Sequence, residues 1–200
     1  MSDFSNNNSY IDLDIKLIKY KNFNKSQIKK FHIIHSNGSV LKYKICNVFA
    51  PFGRQTQSDH KTSLIIKQHR LNICWSKKMI EINEPSFIET VRIINELETF
   101  FTQFDEFKDF TLISNIIDRK THGFVIRFHL KTNNNHTTTD LIHNKTINNH
   151  IDSNLVSWQQ FDKNNKLNFD FHPDSLWIDY DQKKFGISLI IDKVFQFIID

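Results

Sequence analysis

The sequence predicts a mostly β domain crossed by one long helix, its strands closing wholly or nearly into a small barrel. Three observations carry this. Short runs with period-two alternation recur along the chain, roughly eight or nine of them, bounded by turn residues. One stretch alone, 85–107, has helical periodicity. The 19 Phe against 4 Gly and 3 Pro in 200 residues describe an aromatic core in a globular chain of single-domain length. Closure is expected because a set of short strands otherwise leaves exposed edges.

Residues 1–9 read as a tail. In 10–20, Ile11, Leu13, Ile15 and Leu17 alternate with Asp12, Asp14 and Lys16, a strand with one wet face. The runs 28–35 and 40–49 follow, with Asn37-Gly38 between them as a tight-turn pair, so 28–49 reads as a hairpin. A turn at 50–54 and a polar loop at 55–61 precede a strand region, 63–76, that ends in Trp75. The helix comes next. Pro85 suits a first helical position, since its missing N–H has no intrahelical partner there. Ser86 and Glu89 have capping-box spacing. Phe87, Val91, Ile94, Leu97, Phe101 and Phe104 make one apolar stripe, to be buried on the sheet.

The runs 110–117 and 123–131 read as a second hairpin, with Arg119, Lys120 and His122 in its loop. The stretch 132–154 is polar and of low complexity, too poor in large apolar residues for a core of its own. It is expected to be a long insertion dividing the domain into 10–131 and 155–200. Order resumes at 155–161 with Trp158, followed by alternating strands at 166–171 and 175–180. The longest apolar strand, 184–199, is expected to lie in the middle of the sheet or to close a barrel.

Several functions are not supported by these residues. No run reaches the ~20 apolar residues of a membrane span, and residues 1–9 lack the basic and apolar regions of a secretion leader. An intracellular protein is expected, with Cys46 and Cys74 as buried reduced thiols. There is no nucleophile elbow, no glycine-rich phosphate loop and no cysteine in a catalytic setting. His136, His143 and His150 lie at seven-residue steps, wider than the close pairs of a zinc site. His172 with Asp170 and Asp174 reads as a solvated turn about Pro173. Neither an enzyme, a metal nor a cofactor is expected.

The net charge of +4 permits an anionic polymer as partner. Binding of single strands needs flat rings for bases and Lys/Arg for phosphates. Candidates for phosphate are Arg54, Lys67, Arg70, Arg119, Lys120 and Arg127; candidates for stacking are Trp75 and Trp158.

The order of elements adds a resemblance. A strand ends in Trp75, a helix follows at 85–107, then paired strands, then LNFDFHPDSLWIDYDQKKFGISLIIDKVFQFI. This resembles the replicative single-stranded-DNA-binding proteins of podovirus-type phages and their relatives in giant DNA viruses. The turn Val48-Phe49-Ala50-Pro51-Phe52-Gly53 is similar to a segment of the giant-virus form. The resemblance implies an elaborated OB-type barrel that coats single-stranded DNA in replication, recombination or repair, without sequence preference. It further implies viral replication proteins as partners and a setting in host cytoplasm, viral factory, nucleus or virion. A homodimer through an edge strand or the helix stays open. The alternative is a viral structural or interaction protein on the same fold, without nucleic acid.

Overall fold

The computed structural model describes residues 15–19, 28–35, 37–59, 66–119, 123–133, 136–147 and 150–198. Ahead of the helices come β1 (Ile15–Lys19), β2 (Ile28–His35), β3 (Tyr43–Val48), β4 (Arg54–Asp59) and β5 (Ile66–Trp75). Then come α1 (Lys77–Glu81), α2 (Pro85–Thr102), β6 (Thr111–Leu112), β7 (Ile116–Asp118) and β8 (Phe124–Leu130). The chain continues through β9 (Thr132–Asn133), β10 (His136–Thr137), β11 (Asp140–Ile147) and β12 (His150–Val156) to β13 (Leu167–Asp179) and β14 (Lys184–Ile198).

The two longest strands form a spine. β13 and β14 pair antiparallel from Leu167↔Gln196 to Asp179↔Lys184, with register shifts between Asp170 and Phe171 and between Pro173 and Ser175. At their turn, the Asp179 carboxylate accepts from the backbone N–H groups of Asp181 and Gln182. The other edge of β13 is shared. β3 takes 167–171 and β2 takes 175–179, both antiparallel to it. β2 and β3 therefore run collinear and do not form the hairpin expected of 28–49. The Asn37-Gly38 turn makes a jog in this line, with the Gly38 N–H donating to the His35 carbonyl. Pro173, which lacks an N–H, lies where the neighbour changes from β3 to β2, so its missing donor breaks neither ladder. β13 thus runs unbroken where two strands were expected.

The other edge of β14 is shared as well, by β6, β8 and β11, each parallel to it. From β8 the sheet continues through β5 to β4, and from β2 to β1. The sheet is open, its strand path ending at β1 and β4, where a closed or nearly closed barrel was expected. One isolated antiparallel bridge, Phe49↔Cys74, links the end of β3 to β5.

Two polar stretches read as loops are strands. β4 pairs all along with β5 through backbone hydrogen bonds, so its RQTQSD sequence needs no apolar face. In the expected insertion, β11 and β12 form a hairpin from Leu141↔Val156 to Ile147↔His150. Leu141 enters the core, and the buried Thr139 hydroxyl bonds the Lys131 N–H and the Ile191 carbonyl.

The helix begins at Pro85 as expected, but no capping box forms. Ser86 instead accepts a 3.1 Å hydrogen bond from the Trp75 indole. The helix ends at Thr102, before a 3-10 turn at Asp105–Phe107. Its buried face is Thr90, Ile93, Ile94, Leu97, Glu98 and Phe101; Phe104 at the end of the expected stripe is 38% exposed. Glu98 has a structural reason to be buried. Its carboxylate accepts from the Ser114 hydroxyl, the Asn115 N–H and the Asn115 amide, tying α2 to the segment between β6 and β7. At the centre of the core, Phe128 packs edge-on against Phe169 and Phe171 with centroids 4.9 and 5.1 Å away. Burying each such ring stabilises the fold by about 2–3 kcal/mol.

Candidate nucleic-acid interface

Period two sorts β5 into two faces. Leu71, Ile73 and Trp75 point into the core, leaving Arg70, Asn72 and Cys74 on the outer face. On β8, Ile126, Phe128 and Leu130 point inward and Arg127 and His129 outward. Register brings the outward residues together. Gln55 of β4 lies opposite Arg70, Arg70 opposite His129, and Asn72 opposite Arg127.

Gln55, Thr56, Arg70 and Arg127 line an open recess of about 500 Å³. The two arginines hold it without neutralisation, since neither has an ion-pair carboxylate among the described residues. Burial pulls the Arg70 pKa down, and the charge of Arg127 adds to this. Arg70 Nη2 donates to Gln68 Oε1 at 3.1 Å, while its buried Nε has no acceptor. Asn72 donates to Gln55 at 2.7 Å, and its own buried carbonyl oxygen is unpaired. The arginines thus offer donors and positive charge that the fold leaves unused, the chemistry of an oxyanion site, while the Asn72 oxygen, an acceptor, takes no part in it.

A second hollow of about 510 Å³ adjoins it, with Lys30, His129, Lys131, Asp174 and Ser188 in its wall. His129 reports the local potential. Burial, followed by the charges of Arg70, Lys30 and Arg127, lowers its pKa to about 4, so the ring is neutral at pH 7. Asp192 is nearby and is already engaged, accepting from Lys131 at 2.5 Å and from His172 at 3.0 Å. Burial works to raise its pKa, but these hydrogen bonds prevail and hold it below the usual carboxylate value.

The expected site residues divide. Arg70 and Arg127 meet in the recess. Arg119, exposed after β7, is close enough to Cys74 to act on its thiol, whose pKa burial raises to about 11. Arg54 is exposed but lies away from the Arg70–Arg127 pair, donating to the Thr137 hydroxyl at 3.3 Å. Lys67 is in β5 opposite Ser58, and Lys120 lies outside the described residues.

The stacking assignments need correction. Trp75 is 1% exposed and packs on Phe87, so no base reaches it. Trp158 is half-buried, stacked on Phe161 at 5.6 Å and bonded through its indole N–H to the Thr139 carbonyl. Its free ring face is therefore limited. The exposed rings among the described residues are Phe52 (60%), in the turn before β4, Tyr180 (42%), at the β13–β14 turn with the Lys29 ammonium 4.5 Å above it, and Phe104, after α2.

Gln55, Asn72, His129, Lys30 and Lys131 were not among the expected site residues. Period two does place Arg127 and His129 on one face of β8, which was the available sign. Cys46 is exposed, against the expectation of a buried thiol; Cys74 is half-buried, and both are free. His172 faces Asp192 rather than forming a turn with its neighbours. Among the described residues no group of three or more His, Cys, Asp or Glu is arranged to hold a metal. No helix among them is long and apolar enough to cross a membrane.

No protein-family model matches the chain, and no curated protein matches it. The functional reading therefore rests on the chemistry of this face.

Proposed function

We propose that the protein binds single-stranded nucleic acid without sequence preference, along the outer face of β4, β5 and β8. The observation that carries the reading is the Arg70–Arg127 pair, which has no ion-pair carboxylate among the described residues, with the buried Nε of Arg70 left without an acceptor. A backbone phosphate supplies what these groups lack. The phosphate contacts are Arg70 and Arg127, with Arg119 a further candidate. Lys30 and Lys131 flank the adjoining hollow. Phe52, in the turn before β4, replaces Trp75 as a ring for bases to stack on.

The pairing order supports an OB-type reading of the fold. Going round from β3, its neighbours are β13, then β14, β8 and β5, with the Phe49↔Cys74 bridge leading back to β3. All these contacts are antiparallel except β8 with β14. An OB-fold is a partly open five-stranded barrel that binds oligonucleotides on the face of its second and third strands. In this circuit those are β5 and β8, which carry the arginines. The resemblance to viral replicative single-strand binders suggests the setting, with single-stranded DNA as ligand and replication proteins as further partners.

The test is fluorescence anisotropy of labelled oligo-dT, with a duplex control, at low and moderate salt. Binding of the single strand that weakens with salt and exceeds binding of the duplex is expected, because phosphate neutralisation releases counterions. Folded protein that leaves the oligonucleotide free at low salt overturns the reading and favours the interaction-protein alternative.

A further inference from the structure

Edge strands expose unpaired backbone groups, and proteins usually guard them with lysine, proline or a polar face. β4, at one end of the sheet, is polar throughout, and β1, at the other, carries two lysines. β12 is different. It pairs only with β11, and its sequence HIDSNLV holds neither lysine nor proline. Its Leu155 and Ile151 are 71% and 66% exposed, above every other large exposed hydrophobic of the described residues.

The strand is also self-complementary. Laid antiparallel on a second copy about Ser153, it sets Ile151 against Leu155 and Asp152 against Asn154. Ile151, Ser153 and Leu155 share one face by alternation, so the two copies contribute a four-residue apolar stripe. Asp152 and Asn154 form a compatible carboxylate–amide pair, as they do within one chain at 3.0 Å. Centring the pair on Asp152 instead opposes two carboxylates. Centring it on Asn154 opposes Asp152 to Val156. A strand whose sequence matches its own reverse meets the condition for an isologous two-fold interface, in which one patch contacts itself.

We propose that β12 is a dimerisation edge, joining two copies of this chain antiparallel about Ser153 into one continuous sheet. Main-chain hydrogen bonds supply the attraction, and Ile151 and Leu155 fix the register. The proposal is independent of nucleic-acid binding, since β12 lies apart from the Arg70–Arg127 recess.

Sedimentation equilibrium from about 1 to about 200 µM, where small interfaces associate, is expected to show a concentration-dependent dimer. Ile151→Lys with Leu155→Lys opposes ammonium groups across the dyad and is expected to give monomer. Ile151→Lys with Leu155→Glu opposes Lys to Glu at both pairs and is expected to restore the dimer. The two positions are four residues apart in one strand, about 13 Å, so this rescue does not arise within a single chain. Circular dichroism checks that each variant is folded. As a second measurement, Ser153→Cys in a Cys46→Ser background is expected to form an intermolecular disulfide, since paired Cα atoms of about 4.5–5.5 Å suit one. A wild-type monomer throughout the range, or a dimer that survives the double lysine change, overturns the proposal.

Discussion

Replacing Arg70 and Arg127 together by Ala tests the site most directly, because the change is expected to alter binding while leaving stability nearly unchanged. On a single strand each neutralised phosphate contributes about 0.7 to the slope of log affinity against log salt. Losing two contacts lowers the slope by about 1.4. Between 50 and 200 mM salt, a fourfold range, the wild-type affinity is then expected to fall about sevenfold more than that of the variant. Stability is expected to move little. Among the described residues the arginines have no carboxylate to leave behind, and burial already works against the Arg70 charge. A change within about 0.5 kcal/mol, or about 2 °C in Tm, is the expectation. Anisotropy titrations across salt and a thermal melt provide both numbers. An unchanged salt slope would refute the phosphate assignment. So would a melting loss of the size seen on breaking a buried ion pair, which would make the arginines structural.

Other expectations follow from the same structure. Glu98→Ala leaves three donors from Ser114 and Asn115 without their acceptor; denaturant unfolding is expected to show a loss of about 2–4 kcal/mol, with Glu98→Gln losing less. Gly123 sits at φ +104, and an added Cβ would meet the Trp75 carbonyl oxygen at 2.0 Å; Gly123→Ala is expected to cost more than about 3 kcal/mol or to prevent folding, read by circular dichroism. His129 has its folded pKa near 4, below the ordinary 6.5, so the unfolded chain takes up the proton first. Its contribution is intact above pH 6.5 and lost as pH falls towards 4, by up to about 3 kcal/mol. Thermal melts over that window are expected to be flatter in His129→Gln. Bound phosphates are expected to raise the His129 pKa, read by NMR titration of the ring with and without oligo-dT. Trp75→Ala is expected to destabilise by about 3–5 kcal/mol as a core truncation, measured by denaturant unfolding.

Legibility in the sequence followed the source of each element's stability. Where side chains supply it, as in α2 and β14, periodicity located the element. β2 has the bounds expected of the run 28–35. Where backbone pairing supplies it, the sequence was silent: RQTQSD of β4 and the Asn/Thr-rich β11 show little apolar pattern, and only neighbouring strands make them strands. Pro173 reads as a break until the change of neighbour from β3 to β2 shows that no donor is needed there. The site was half legible. Arg70 and Arg127 are marked by charge, but their meeting depends on the register of β5 with β8, set by residues throughout both strands. Trp75 was misassigned although period two places it with Leu71 and Ile73, a sign outweighed by the basic residues next to it.

The β13–β14 spine has a consequence for biosynthesis. β2, β3, β6, β8 and β11 all find a partner on it, yet it is translated after every one of them. At roughly 5–20 residues per second, β2 leaves the ribosome on the order of ten seconds before its ladder partner. For that interval the nascent chain carries hairpins whose far edges have nothing to bind, and holdase chaperones are the natural occupants. Chains halted before Leu167 should be cut readily by protease along their whole length. Chains halted on a linker beyond Ile198 should become resistant in one step, as the whole sheet assembles at once.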